Sequence, residues 1–94
     1  MDEYPQIADI MMVSQNYPNP FSETTTIHFD LRESCVLSLD ISDITGKKVM
    51  EVNKGLCSPG QHTIHVDGSS LPSGLYFYTV HAGGFSETKK MVVE

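Results

Sequence analysis

The sequence predicts an all-β fold, an antiparallel sandwich of six or seven short strands. Three observations predict it. Apolar and polar residues alternate with a period of two in TTTIHFDL and again in CVLSLDISD, as in strands that bury one face. Turn-forming residues separate such runs at spacings of roughly ten residues, the rhythm of a sandwich. No segment carries a convincing helical period.

Taken in order, residues Met1 to Asp9 show no pattern, and the apolar run Ile10 to Val13 reads either as a first strand or as a flexible lead-in. We therefore divide the chain into a lead-in over 1–13 and a folded module over 14–94. The next stretch, SQNYPNPF, excludes helix, because Pro18 and Pro20 bias Tyr17 and Asn19 toward extended conformations. It has no PxxP spacing, so it reads as a structural plug rather than a proline-rich ligand. Tyr17 and Phe21 are expected to flank it and pin it against the open end of a core.

In TTTIHFDL, Ile27, Phe29 and Leu31 share one face against Thr26, His28 and Asp30. After a turn at Arg32 to Ser34, Cys35, Leu37, Leu39 and Ile41 point inward, with Val36, Ser38, Asp40 and Ser42 outward. DITGKK supplies a hairpin turn with Gly46 at its tip. Lys47 to Val52 follows as a short strand, Asn53 to Pro59 reads as a loop, and in QHTIHV the residues His62, Ile64 and Val66 face one way.

The corner LPSG then feeds LYFYTVHA. Tyr76, Tyr78 and Val80 are expected in the core, and Leu75, Phe77 and Thr79 on the other face. Apolar character on both faces suits a central strand. Gly83 and Gly84 make a two-residue hairpin loop, so FSETKKMVVE returns antiparallel beside Leu75 to Ala82.

Composition narrows the functions. Ninety-four residues make one domain with one core and no cleft between lobes. A net charge of -6, with only six Lys and Arg, leaves no patch that neutralises a phosphate backbone, so no nucleic-acid partner is expected. No apolar run reaches the roughly 20 residues that span a bilayer. The start, MDEYPQIADIMM, carries no basic and apolar export signal, which implies either a cytosolic chain or a piece whose signal lies upstream.

Chemistry-bearing constellations are sparse. Cys35 and Cys57 read either as a disulfide of an oxidising compartment or as two reduced residues, and the second reading is favoured because their spacing implies no geometry. His62 and His65 lie on opposite faces of a strand, and His28 and His81 on different strands, so no metal site is expected. Solvated positions are expected for His28, His65 and His81, with His62 partly buried. There is neither a GxSxG nor a glycine-rich phosphate loop, and we expect no catalysis and no cofactor.

The ordered motifs NYPNPF, ISDITGKKV, GQHTIHVD and SSLPSGLYFYTVHAGGFSETKKMVV closely resemble the type A C-terminal sorting domain of the type IX secretion system, over about Ser14 to Glu94. The resemblance implies an immunoglobulin-like antiparallel β-sandwich of about seven strands, although the Trp and paired cysteines of antibody domains are missing. It implies an address on exported cargo, placed at the C-terminus of an upstream cargo domain. Such a domain passes the periplasm, is read by the outer-membrane translocon and is commonly removed by a sortase-like peptidase, leaving the cargo secreted or on the cell surface. The positions matching the family motifs are Pro72, Gly74, Tyr76, Gly83, Gly84, Lys89, Lys90, Met91, Val92 and Val93.

Family tails often end on a basic residue, where this chain has Glu94. A terminal strand at a sheet edge is expected to present unpaired backbone groups to a receptor, with Lys89 and Lys90 adding charge discrimination. The same edge would support a weak edge-strand dimer, and the lysines have a second reading as protection against aggregation. The alternative function is a structural or adhesive module like the immunoglobulin-like domain of flagellar hook-capping proteins. The position of the last strand at the end of the sequence favours sorting.

Overall fold

The computed structural model describes residues 10–94. Among them are seven strands and no helix: β1 (Met11–Val13), β2 (Thr24–Leu31), β3 (Cys35–Ser42), β4 (Lys48–Cys57), β5 (Gly60–Asp67), β6 (Gly74–Ala82) and β7 (Phe85–Val93). They form two antiparallel sheets, ordered β1-β2-β5 and β4-β3-β6-β7. Hairpins join β3 to β4 and β6 to β7, while the turns after β2, β4 and β5 carry the chain across to the other sheet. The arrangement is a two-layer antiparallel sandwich, compatible with the immunoglobulin-like expectation.

The alternating residues meet between the layers. Ile27, Phe29, Leu31, Ile64 and Val66 from one sheet pack against Leu37, Leu39, Ile41, Tyr76, Tyr78, Val80, Met91 and Val93 from the other, all buried. Burying each large apolar side chain is worth about 1.5–3 kcal/mol, so this continuous layer is the main source of stability. The inward sets expected on β2, β3 and β6 are all found there. β6 lies between β3 and β7, as its two apolar faces require. The open alternative at Ile10 to Val13 resolves to a strand, since Met11–Val13 pairs with Phe29–Leu31 of β2 and Met11 joins the core. Met1 to Asp9 of the expected lead-in lie outside the described residues.

Two expectations need correction. The segment Asn53 to Cys57, read as loop, is the second half of β4. β4 is an edge strand with mostly exposed residues, and its register against β3 shifts twice, so no clean alternation survives in the sequence. Tyr17 does not pin the proline segment: its side chain is 77% exposed. Its backbone pairs with Thr26, N–H to carbonyl in both directions at 2.9 Å, which turns residue 17 outward and Asn16 inward. Asn16 is 2% exposed, and its Nδ2 donates to Thr25 Oγ1 at 3.0 Å and to the Pro18 carbonyl at 3.2 Å. A polar side chain tolerates such burial only with partners of this kind.

Phe21 does plug the core, as expected, and is 2% exposed. Its ring lies where a Cβ on residue 68 would stand, 2.7 Å from Phe21 Cε2, so Gly68 is the residue that leaves room for the plug. The corner is also braced from within. Tyr76 near the start of β6 donates its hydroxyl to the Pro72 carbonyl at 2.6 Å, the bond of the tyrosine corner in immunoglobulin-like sandwiches.

Tyr78 ties the layers to the proline segment. Fully buried, its hydroxyl accepts from the Asn16 N–H and donates to the Ser14 carbonyl, each at 3.1 Å. Burial pushes its phenol above the usual tyrosine range, against a lowering by the Asn16 N–H and with a further rise from the charge of Glu87. The folded state thus favours the neutral phenol. This contribution is complete below the unfolded value of about pH 10 and is lost as pH rises beyond it.

Tyr78→Phe leaves the Asn16 N–H and the Ser14 carbonyl unpaired and should cost about 1–3 kcal/mol in urea unfolding. In the parent chain, stability measured the same way should decline above about pH 10, and Tyr78→Phe should flatten that decline.

Candidate functional site

The residues singled out from sequence all belong to the β6–β7 hairpin and its entry corner, but they do not form one site. Gly74, Tyr76, Met91 and Val93 meet at one end, where Gly74 pairs with Val93 and Tyr76 with Met91. Gly83 and Gly84 form the turn at the other end, roughly 30 Å away along strands of nine residues at about 3.3 Å each. The turn is the two-residue loop expected, with Ala82 opposite Phe85.

Burial splits these residues into two groups. Tyr76, Met91 and Val93 are core, and Pro72 supplies the carbonyl of the corner bond. Lys90 and Val92 stand on the outer face of the sheet, opposite Phe77 and Leu75 respectively. Lys89 is turned to the inner side opposite Tyr78, is half-buried, and lies 3.4 Å from Glu87. The two lysines therefore have different surroundings, and Lys90 is the more exposed cation.

β7 is an edge strand, as expected, but its edge is not bare. The segment 15–21 covers its C-terminal half. Gln15 Nε2 donates to the Lys90 carbonyl at 2.6 Å, and the Val92 N–H donates to Asn19 Oδ1 at 2.9 Å. The Phe21 N–H donates to the Val92 carbonyl at 3.1 Å, and the Glu94 N–H to the Phe21 carbonyl at 2.8 Å, a parallel bridge. This corrects the expectation of a fully unpaired terminal edge. In NYPNPF the Asn19 side chain stands in for a backbone acceptor, and the Phe21 backbone supplies the pairing donor and acceptor.

Residues that face outward alternate along β7. Because Tyr76, Tyr78, Val80 and Ala82 oppose odd-numbered residues of β7 as hydrogen-bonded pairs, the even-numbered ones direct their backbone groups to the edge. Among the described residues, none pairs with the outward backbone groups of Ser86 and Thr88. What remains open is thus a short row from Ser86 to the N–H of Lys90, beside the exposed Lys90 side chain.

Elsewhere, the histidines do not assemble. His28 is exposed on the three-stranded sheet, and His81 is half-buried on the four-stranded one with its Nε2 2.8 Å from Asp40 Oδ2. The solvated position expected for His81 is therefore only partly met. Asp40 also lies 3.4 Å from Lys48; burial would raise its carboxyl, but His81 and Lys48 bring it below the usual range. His62 is partly buried, with Nε2 2.7 Å from the Ser58 carbonyl. Among the described residues no three His, Cys, Asp or Glu side chains converge on a metal-sized site. A groove of about 610 Å³ over β1, β2 and β5 is lined by His28, Asp30, Gln61 and Thr63 among others. Ser14 and His62 line it too, and Ser14 Oγ accepts from the His28 backbone N–H at 3.0 Å.

The chain is thus a small antiparallel sandwich whose terminal strand edge is half covered. The model of the secretion system C-terminal sorting domain matches residues 15–94, and the chain belongs to that family, the sorting domains of type IX secretion. No curated protein matches the chain.

The guard itself is measurable. Asn19→Ala removes the acceptor of the Val92 N–H, and amide exchange at Val92 should then speed up by about tenfold or more, with exchange at Tyr78 in the core unchanged.

Proposed function

We propose that the domain is a non-catalytic address which directs attached cargo through the type IX outer-membrane translocon after periplasmic transit. A sortase-like peptidase then removes it, and the cargo is secreted or retained at the cell surface. Family membership supports this reading. The observation that carries the recognition step is the open row of β7 from Ser86 to Lys90, lying next to a covered half.

In this reading the translocon adds a strand to the open row, backbone to backbone, and Lys90 contributes charge discrimination. Val92 and the adjoining Leu75 offer apolar contact on the outer face. Pro72, Gly74, Tyr76, Met91 and Val93 act by holding the hairpin in place, and Gly83 and Gly84 by closing it. Lys89, paired with Glu87, serves the fold more than the receptor.

The test fuses the chain behind a signal peptide and a fluorescent reporter, in a host with an active type IX system and in a translocon-null strain. Reporter at the surface or in the medium of the competent strain alone is the expected result. Periplasmic retention of folded fusion in both strains overturns the address reading. Thr88→Pro removes one outward N–H and, of the bonds to β6, only the exposed hydroxyl pair with Thr79, and should abolish export while the domain stays folded. Undiminished export of this variant would rule out strand addition at the open row.

A further inference from the structure

The register of β3 and β4 places Cys35 directly opposite Cys57. Both are free thiols, 9% and 7% exposed, at the end of the β3–β4 hairpin remote from its turn. Directly opposed residues of an antiparallel pair have Cα atoms about 4.5–5.5 Å apart, inside the roughly 4.4–6.8 Å span of disulfides.

The pairing results from a specific irregularity. Ser38 opposes Asn53, yet Leu37 opposes Gly55, so Lys54 is an extra residue in β4. Were the register to run on unbroken, with Lys54 opposite Leu37, Leu56 would oppose Cys35 and Cys57 would point away from the core. Gly55, at φ +69°, takes the left-handed conformation that the bulge needs. The result reverses the usual hydrophobic order: Leu56 is 76% exposed, and Cys57 is buried opposite Cys35. Leucine loses burial here so that the two cysteines meet.

We propose that Cys35 and Cys57 are a redox couple that closes to a cross-strand disulfide, pinning the edge strand β4 to β3 at the end that its turn leaves open. The oxidant is a small exchangeable disulfide such as oxidised glutathione. One cysteine thiolate attacks a glutathione sulfur, giving a mixed disulfide and releasing one reduced glutathione. The second cysteine then attacks the protein sulfur of that mixed disulfide and releases another. Two protein thiols lose two electrons and two protons, and glutathione disulfide gains them as two thiols. Burial, with Cys57 and Glu33 adding, pushes the Cys35 thiol up, so the exchange quickens under mildly alkaline conditions.

The experiment incubates the reduced, full chain with excess oxidised glutathione, counts remaining thiols, and maps the digested product without reduction. The expected product is a monomer that has lost both thiols, with Cys35 and Cys57 linked in one peptide pair. Glutathione adducts on each cysteine, links between chains, or two surviving thiols overturn the proposal. The same titration in denaturing urea gives the reference. The folded chain should favour the internal disulfide by about tenfold or more over the unfolded one, since the register supplies the effective concentration. An equal preference in both states would show that the fold does not bring the pair together.

Discussion

One hydroxyl, that of Tyr78, connects the parts of this molecule that apolar packing cannot. The facing layers of a sandwich attract each other without direction, and nothing in that attraction fixes where an irregular segment crosses between them. Tyr78 is fully buried at the centre of the four-stranded sheet, and its hydroxyl holds the backbone of Ser14 and Asn16. From that point Asn16, Thr25 and Pro18 form a small satisfied polar cluster, and the chain beyond is directed across the gap to β7. Phe21 ends the crossing as an apolar plug under Gly68.

The crossing explains why two motifs far apart in sequence belong together. NYPNPF and KKMVV have no local relation, yet four hydrogen bonds from Gln15, Asn19 and Phe21 hold Lys90, Val92 and Glu94. The first motif decides how much of the terminal strand is available to a partner. An edge strand left entirely open invites indiscriminate pairing, and one entirely covered could not be read by strand addition. The half-covered edge keeps a short row accessible.

Much of the fold was legible in the residues themselves. β2, β3 and β6 declare their buried faces because each has a core on one side and a regular register, so the period of two survives in the side chains. β4 does not, because it is an exposed edge with Lys54 bulged out of register, and both conditions erase the alternation. Phe21 was legible as a plug, whereas Tyr17 and Asn16 exchanged roles, since one residue of phase decides which of them turns inward. The site was legible only as a set of positions on the last hairpin. Its division into core residues and presented residues depends on which face each takes. Its partial cover depends on bonds spanning more than seventy residues of sequence, which no local pattern encodes.

The parallel bridge between Phe21 and Val93 also has a mechanical meaning. Segment 15–21 and the end of β7 run side by side in the same direction. A pull on this segment at Gln15, once β1 and Ser14 have given way, against a grip on the end of β7, slides the two past one another. Four hydrogen bonds then resist together in shear instead of opening one after another like a zipper. A load between segment 15–21 and the end of β7 is in this way borne by the whole fastening at once.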